Sequence, residues 1–362
     1  MKSKIISLFF ILFFLVSTIS GCIDFFQIDG STTYESHPTS VRYIISYGYK
    51  INCTGSGKYN LIYKCDLPEV LYGSISNLII HNNDYSSEII ATWNSVKSWN
   101  ITSSLNKDYN LGISATIQTD SYLISDLNGE NALSIDEIKD TYPNICNQFT
   151  KPQSNDTMVF IDPNDHKISD ISHQVLIKTG TNNSFLVAKE LFKWLKQNTH
   201  YSTHFERDNV QKASYTLQCR TGDCDVLSFL YISLCRSLKI PSRFIRGFLV
   251  EEINAIPHVW AEVFVGGNIG DNGWIPVECA GISGSIDSEI HQNFGIEDVG
   301  HLRLFKDDGS NESINISLSG FHYIMLSQTR NIEANSYSKI SDYQILRNQK
   351  LVIDENNKRA YE

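Results

Sequence analysis

Arg220-Thr-Gly-Asp-Cys224-Asp-Val-Leu-Ser-Phe-Leu230 is the stretch of sequence that decides the fold of this chain. It places a cysteine just after a Gly-Asp turn and just before an apolar segment. Two further stretches follow, His258-Val-Trp-Ala-Glu-Val-Phe264 and Gly273-Trp-Ile-Pro-Val-Glu278. A thiol, an imidazole and a carboxylate therefore occur in that order, and these are the groups that an activated thiol nucleophile uses.

Apolar periodicity predicts two helices and then a sheet around this cysteine. Residues 184–197 have a helical apolar face, with Asn183 or Ser184 as the cap. Residues from about 223 to 238 are apolar nearly all round, which is typical of a helix buried on several sides. Pro241 ends that helix, and strands are predicted at 243–249, 258–265 and 274–279. A helix packed on an antiparallel sheet indicates an α+β fold.

Cys224 is the candidate nucleophile because of its place at the start of a helix. Unsatisfied N–H groups and the helix dipole favour an anion there, which predicts a lowered thiol pKa. Gly222 allows a tight turn and Asp223 is a suitable N-cap. A buried structural cysteine, or one in a disulfide, is the alternative interpretation.

His258 and Glu278 are the candidate base and orienting acid. Alternation along a strand places His258, Trp260 and Glu262 on one face. A hairpin register that sets His258 opposite Glu278 would bring their Cβ atoms to about 4.5–5.5 Å. The alternatives are a partly buried histidine bonded to backbone and an exposed strand carboxylate.

The N-terminus predicts export and a lipid anchor. Lysines at positions 2 and 4 precede an apolar run of ~13 residues, too short to span a membrane as a helix but suited to a signal peptide over 1–22. Ile19-Ser-Gly-Cys22 resembles the lipobox of prokaryotic lipoproteins, which implies lipidation at Cys22. The chain would then lie on the outer face of the cytoplasmic membrane; an uncleaved anchor or plain secretion is the alternative.

The remaining sequence predicts a tether and two β-rich regions. Residues 23–40 are polar and suit a tether, and 41–165 predict a β-sandwich-like domain with a linker, including a hairpin around Gly55-Ser-Gly57 and a capping box at Ser134. The catalytic domain would occupy 166–281. A C-terminal β-rich extension would follow at 282–362, with strands at 302–305, 314–317 and 323–326.

Charge and cysteine content exclude several classes of function. Residues 1–22 hold two lysines and no Asp or Glu, so the rest carries 28 basic and 40 acidic residues, a net charge of −12. This argues against nucleic acid as a partner. No Cys-x-x-Cys pair occurs, and no metal or cofactor site is predicted. The six cysteines other than Cys22 and Cys224 could form disulfides in 15 ways, and the sequence does not choose among them.

The segment from Ile168 to Gly281 resembles the transglutaminase-like superfamily. The resemblance rests on Thr221-Gly-Asp-Cys224, Cys235-Arg-Ser-Leu-Lys-Ile-Pro-Ser-Arg-Phe-Ile-Arg-Gly-Phe248, the stretches at His258 and Glu278 quoted above, and a lead-in helix ending near Tyr201. It implies a papain-like fold, Cys224 as nucleophile and His258 as base.

The third position departs from the family pattern, which has Asp where this chain has Glu278. The longer side chain would accept a hydrogen bond from Nδ1 of His258, and Asp225 and Asp271 are possible substitutes. Gln218, six residues before Cys224, has the spacing of the oxyanion glutamine in papain-like peptidases.

These features predict a cell-surface thiol enzyme, a hydrolase or acyltransferase that acts on peptide or amide bonds through a thioester. Its partners would be a peptide or protein substrate and, through the lipid, the membrane. The alternative is a catalytically degenerate, surface-anchored binding or structural protein with the same fold.

Overall fold

The computed structural model describes residues 31–203, 211–317 and 321–362. The predicted signal peptide and Cys22 lie outside these residues. The described helices are α1 (Ile135–Thr141), α2 (Pro143–Phe149), α3 (His166–Thr179), α4 (Ser184–Asn198), α5 (Ala213–Cys219), α6 (Cys224–Ser237), α7 (Ile286–Asn293) and α8 (Asn311–Ser317), with a 3-10 turn at Ala91–Trp93.

Strands form most of the rest of the described chain. They are β1 (Thr32–Gly55), β2 (Tyr59–Asp66), β3 (Gly73–His81), β4 (Ser86–Ile90), β5 (Asn94–Ser103), β6 (Lys107–Asp120), β7 (Tyr122–Leu123), β8 (Gln153–Ser154), β9 (Val159–Ile161), β10 (His200–Tyr201), β11 (Thr221–Gly222), β12 (Ser242–Val250), β13 (Ala255–Phe264), β14 (Trp274–Val277), β15 (Ile296–Glu297), β16 (His301–Lys306), β17 (His322–Met325), β18 (Arg330–Ile353) and β19 (Arg359–Tyr361).

Two antiparallel sheets share one core, which confirms the β-sandwich-like region. One sheet has the order β19-β18-β1-β6-β3 and the other β17-β2-β5-β4. Alternate residues of these strands point inward, and the buried set includes Tyr43 and Ile45 of β1, Leu61 of β2 and Trp99 of β5. Alternation of buried and exposed residues along a strand is what a half-buried sheet requires.

The predicted hairpin at Gly55-Ser-Gly57 is wrong. β1 pairs with β6 and β18, whereas β2 pairs with β5 and β17, so the turn carries the chain from one sheet to the other. β1 also begins at Thr32, within the stretch predicted as a tether. The domain boundaries as such stay predictions.

A separate four-stranded sheet, which we call the central sheet, has the order β14-β13-β12-β16. Helix α6 packs on it, and its residues from Val226 to Arg236 are all buried. Leu230 and Ile232 are fully buried there, a position where truncation to alanine typically costs about 2–5 kcal/mol. The predicted α+β architecture, a helix packed on an antiparallel sheet, is confirmed.

The local signals predict most element ends well. Ser134 and Glu137 form both hydrogen bonds of a capping box at α1, and Asn183 caps α4. The strand predicted at 314–317 is wrong, because α8 covers these residues. In the described part of the chain, no helix is both long and apolar enough to cross a membrane.

Candidate active site

Cys224 is the first residue of α6, at the point where the chain turns in from β11. Asp223 occupies the N-cap position, but its side chain makes no capping hydrogen bond. β11 runs parallel to β10, with Tyr201 paired to Gly222. A Cβ at Gly222 would lie 2.4 Å from Cγ2 of Val226, so the close approach of turn and helix requires glycine here.

The Cys224 thiol is held against β13. The backbone N–H of Val259 lies close enough to the sulfur to act on its pKa, so the thiol lies beside the residue that follows His258. The Ser228 hydroxyl links the same two elements, because it donates to the carbonyl of Cys224 at 2.7 Å and to that of Val259 at 3.3 Å.

Burial determines the protonation of this thiol. The helix N-terminus predicts a lowered pKa, but burial, aided by Asp225, Asp223 and Glu278, raises the pKa of Cys224 to about 12. The Val259 N–H acts in the opposite direction and is outweighed. Cys224 is therefore a thiol at rest, and the predicted lowering of its pKa is wrong.

His258 and Glu278 meet, although not through the predicted register. β13 and β14 pair Ala261 with Val277, and continuing that register would set Glu278 opposite Trp260, two residues from His258. Glu278 follows the end of β14, and its Oε2 lies 2.7 Å from Nε2 of His258. The contact uses Nε2, not the predicted Nδ1. A proton on Nε2 leaves Nδ1 of a neutral His258 as the basic nitrogen.

Glu278 accepts more hydrogen bonds than the sequence suggested. Its Oε2 also lies 2.9 Å from Nε2 of His301, and its Oε1 accepts the Ala280 N–H at 2.6 Å. Burial opposes ionisation of Glu278, but His258 and His301 outweigh it and hold its pKa well below the ordinary value. Glu278 is an anion.

His301 and Asp298 extend this chain of contacts, and sequence reasoning missed both. Nδ1 of His301 lies 2.8 Å from Oδ1 of Asp298. His301 is the first residue of β16, which pairs with β12, as β13 does. The sequence shows that His301 directly precedes a predicted strand, but it does not show which strands lie beside that strand.

The substitutes considered for the third position are engaged elsewhere. Burial, followed by a hydrogen bond to Asp223, raises the pKa of Asp225 well above its ordinary value. Asp271 lies in the loop before β14, where its Oδ1 accepts from the Asn272 side chain at 2.8 Å.

A buried ionic ladder supports the histidines from behind. Arg243 and Arg303 each contact Glu262 at 2.6 Å, and Arg303 also contacts Glu297. Trp260 donates from Nε1 to Glu297 at 3.0 Å. The Trp260 ring stacks on His258 and meets His301 edge-on, with centroids 6.0 and 4.9 Å away. The ladder thus fixes the indole, and the indole fixes both imidazoles.

Gln218 lies on α5 with an exposed side chain. It lines a cavity of about 780 Å³ with Asp165, Lys212 and Arg220. The role of Gln218 at an oxyanion stays a prediction.

Tyr201 is a residue near the thiol that sequence reasoning did not single out as functional. Burial, followed by the nearby Cys224, raises its pKa.

One group of side chains among the described residues has the spacing of metal ligands. Ligand-type atoms of His258, Glu278 and His301 lie within 4.8 Å of one another. Each of these atoms is already paired in the hydrogen bonds given above, so the donor set is accounted for as a hydrogen-bonded chain, and we assign no metal to it. All seven described cysteines are free.

Comparison with known proteins relates the central part of the chain to a family. Residues 173–279 match the model of the transglutaminase-like superfamily. No curated protein is significantly similar to the chain in sequence.

Two solved structures align with the chain. A candidate cysteine protease from Cytophaga hutchinsonii aligns with a TM-score of 0.50 at 14% identity, over 91% of this chain and 99% of that one. The periplasmic domain of TgpA from Pseudomonas aeruginosa aligns with a TM-score of 0.34 at 8% identity, over 64% of this chain and 86% of that one. The fold of the chain, including the sandwich, is thus shared with the first of these proteins. Residues 173–279 belong to the transglutaminase-like superfamily.

Proposed function

We propose that this chain is a cysteine-dependent hydrolase or acyltransferase that acts on peptide or amide bonds, with Cys224 as nucleophile, His258 as base and Glu278 as orienting acid. The observation that carries the proposal is the contact between Nε2 of His258 and Glu278 at 2.7 Å, made beside a thiol held at Val259. A carboxylate on one ring nitrogen leaves the other free to take a proton from sulfur.

The first half-reaction forms a thioester. As Sγ of Cys224 attacks the carbonyl carbon, its proton passes to Nδ1 of His258, the new S–C bond forms, and the carbonyl electron pair moves onto oxygen. The C–N bond then breaks, and His258 returns the proton to the leaving amine. Glu278 stabilises the imidazolium between these steps. The Cys224 backbone N–H has no helical acceptor, so it is available to the oxyanion.

The second half-reaction releases the acyl group. His258 takes a proton from water, the oxygen bonds to the thioester carbon, and the C–S bond breaks. The sulfur then recovers the proton from His258. A primary amine in place of water would give transfer instead of hydrolysis. A thiol with a pKa of about 12 fits this general-base sequence better than a preformed thiolate.

The experiment is a search for Cys224-dependent cleavage in a peptide mixture. The full chain is incubated with a proteome-derived peptide library, and new N-termini are identified by mass spectrometry. We expect them with the wild type and not with Cys224→Ser, because oxygen is a far weaker nucleophile in this setting. Cys219→Ser is the matched control, since Cys219 is an exposed free thiol outside the site, and it should cleave normally.

The same assay distinguishes hydrolysis, acyl transfer and a non-catalytic role. Incorporation of a labelled primary amine into glutamine-containing peptides would identify transfer. If the wild type and Cys224→Ser give the same N-termini and neither incorporates amine, the enzyme reading is wrong and a binding or structural role with this fold is supported.

We further propose that the enzyme is exported and held at the outer face of the cytoplasmic membrane through Cys22. The support is the basic start, the short apolar run and the Ile19-Ser-Gly-Cys22 motif. In the same preparation, Cys224-dependent cleavage should follow the membrane fraction for the wild type and leave it for Cys22→Ser. Equal distribution of the two would contradict the anchor.

A further inference from the structure

His301 has a carboxylate at each ring nitrogen. Nδ1 lies 2.8 Å from Oδ1 of Asp298, and Nε2 lies 2.9 Å from Oε2 of Glu278. Both are hydrogen-bond distances, and the His301 side chain is only 6% exposed. Water therefore has little access to either nitrogen.

The geometry fixes the charge of this ring. Ionised carboxylates only accept hydrogen bonds, and a neutral imidazole has one nitrogen that also only accepts. A neutral His301 would set a lone pair against a carboxylate at one end, whichever tautomer it adopted. Both nitrogens must carry protons, so His301 is an imidazolium. The electrostatic surroundings favour the same protonation state. Burial alone would lower the pKa of His301, but Asp298 and Glu278 raise it well above the ordinary value.

The consequence is a charge balance behind His258. Asp298 and Glu278 contribute two negative charges and His301 one positive charge, so the group carries the net charge of a single carboxylate. Oδ1 of Asp298 also accepts the Gly300 N–H at 2.8 Å, which fixes the far end. The extra length of Glu278 is fixed by His301 on Oε2 and by Ala280 on Oε1.

We propose that His301 is a positioning residue, held as an imidazolium between Asp298 and Glu278, which fixes the Glu278 carboxylate and limits the negative charge that His258 experiences. This inference rests on the proposed function, because it concerns the acid of that same site. His301 acts through Glu278 and is not assigned contact with substrate.

Other titratable or charged groups lie around this set of side chains and have to be the same in all proteins that a test compares. They are Cys224, Asp223 and Asp225 at the start of α6, Tyr201 of β10, Lys196 of α4, Tyr343 of β18 and Tyr361 of β19 beside Asp298, and Glu262 with Arg303 behind Trp260.

The test follows the imidazole rings by NMR in the full chain labelled with 13C- and 15N-histidine. Cys224→Ala is the background, so that no thiol titrates with His258, and His258→Gln and His301→Gln assign two of the 10 histidines. We expect the His301 ring to keep both N–H protons from pH 5 to 8. A His301 ring that titrates near 6.5 would overturn the proposal. The titration itself is recorded with the set intact, and the two glutamine variants serve only to assign the signals.

Two variants then distinguish the effect of the His301 charge on His258 from a purely structural effect of the His301 side chain. His301→Gln leaves two negative charges behind His258 and should raise the midpoint of the His258 titration by about one pH unit, given ring centroids 5.5 Å apart. Adding Asp298→Asn restores a single negative charge and should reverse at least half of that shift. The Asp298 side chain is 47% exposed, so full reversal is not required.

The results of these titrations can be told apart from the results of the peptide-cleavage assay that tests the proposed function. Equal His258 midpoints in the single and double variants, or no shift in either, would overturn the charge balance. None of these measurements requires turnover. A failed peptide assay therefore leaves this inference standing, and a failed titration leaves cysteine-dependent cleavage standing.

Discussion

At the scale of single residues, the site depends on the length of Glu278. The family pattern has Asp at this position, and a shorter acid would contact one imidazole at most from the same backbone. Here one carboxylate oxygen reaches His258 at 2.7 Å and His301 at 2.9 Å. The departure from the pattern, which left the third role open in the sequence, coincides with a second histidine, His301, at the same carboxylate oxygen.

Glu278→Asp should therefore impair the proposed activity although it restores the family residue. Removing one methylene withdraws the carboxylate by more than 1 Å and breaks at least one of the two contacts. We expect kcat/KM for a Cys224-dependent peptide to fall by about 10–100-fold. Glu278→Gln is the comparison, since it keeps the length and removes the charge. Activity of Glu278→Asp equal to that of the wild type would show that the length of Glu278 has no role.

Sequence predicted part of this site and not the rest, for physical reasons. Cys224 was visible because a turn, a cap and an apolar helix are local signals. The contact between His258 and Glu278 was anticipated from a hairpin, but the register was off by two residues and the wrong ring nitrogen was chosen. The thiol pKa was predicted in the wrong direction, since burial is a property of the packed fold and not of a helix end.

At the scale of elements, the central sheet is held at its functional face by a buried ladder of charges. Glu262 of β13 is 1% exposed and contacts Arg243 of β12 and Arg303 of β16. Burial alone would raise the pKa of Glu262, but the two guanidinium groups lower it to about 2. Because three strands meet at this carboxylate, its loss would loosen the sheet that carries both histidines.

The ladder predicts a pH-dependent stability. A carboxyl whose pKa is lower in the folded than in the unfolded state stabilises the fold above the unfolded value of about 4.3, and this stabilisation is lost as pH falls towards the folded value. Glu262→Gln should lower the free energy of unfolding at pH 7 by about 3–5 kcal/mol.

Urea denaturation of both proteins between pH 7 and pH 3 measures this effect. The difference between wild type and Glu262→Gln should shrink below about pH 4.3. A difference that does not vary with pH would show that ionisation of Glu262 contributes nothing to stability.

At the scale of the whole molecule, distant segments of the chain build one structure. β18 pairs along β1 over register positions that run from Thr32 with Ile353 to Gly55 with Arg330. Buried Arg359 donates to the carbonyls of Ile124 and His291. Such pairings were not predicted, because strand partners so far apart leave no local signal, and the last residues looked uninformative when considered alone.

The proposal that Cys224, His258 and Glu278 form a triad also depends on the whole fold, since these residues come from a helix start, a strand and a strand end.

The most direct test of the triad measures the rate constants for alkylation of Cys224 and Cys219 by iodoacetamide at pH 7 in one chain, by mass spectrometry. A thiol with a pKa of about 12 is almost wholly protonated at that pH, so rapid alkylation requires a base. His258→Gln should slow Cys224 by about 10-fold or more and leave exposed Cys219 unchanged. Equal Cys224 rates in the wild type and His258→Gln would contradict the account.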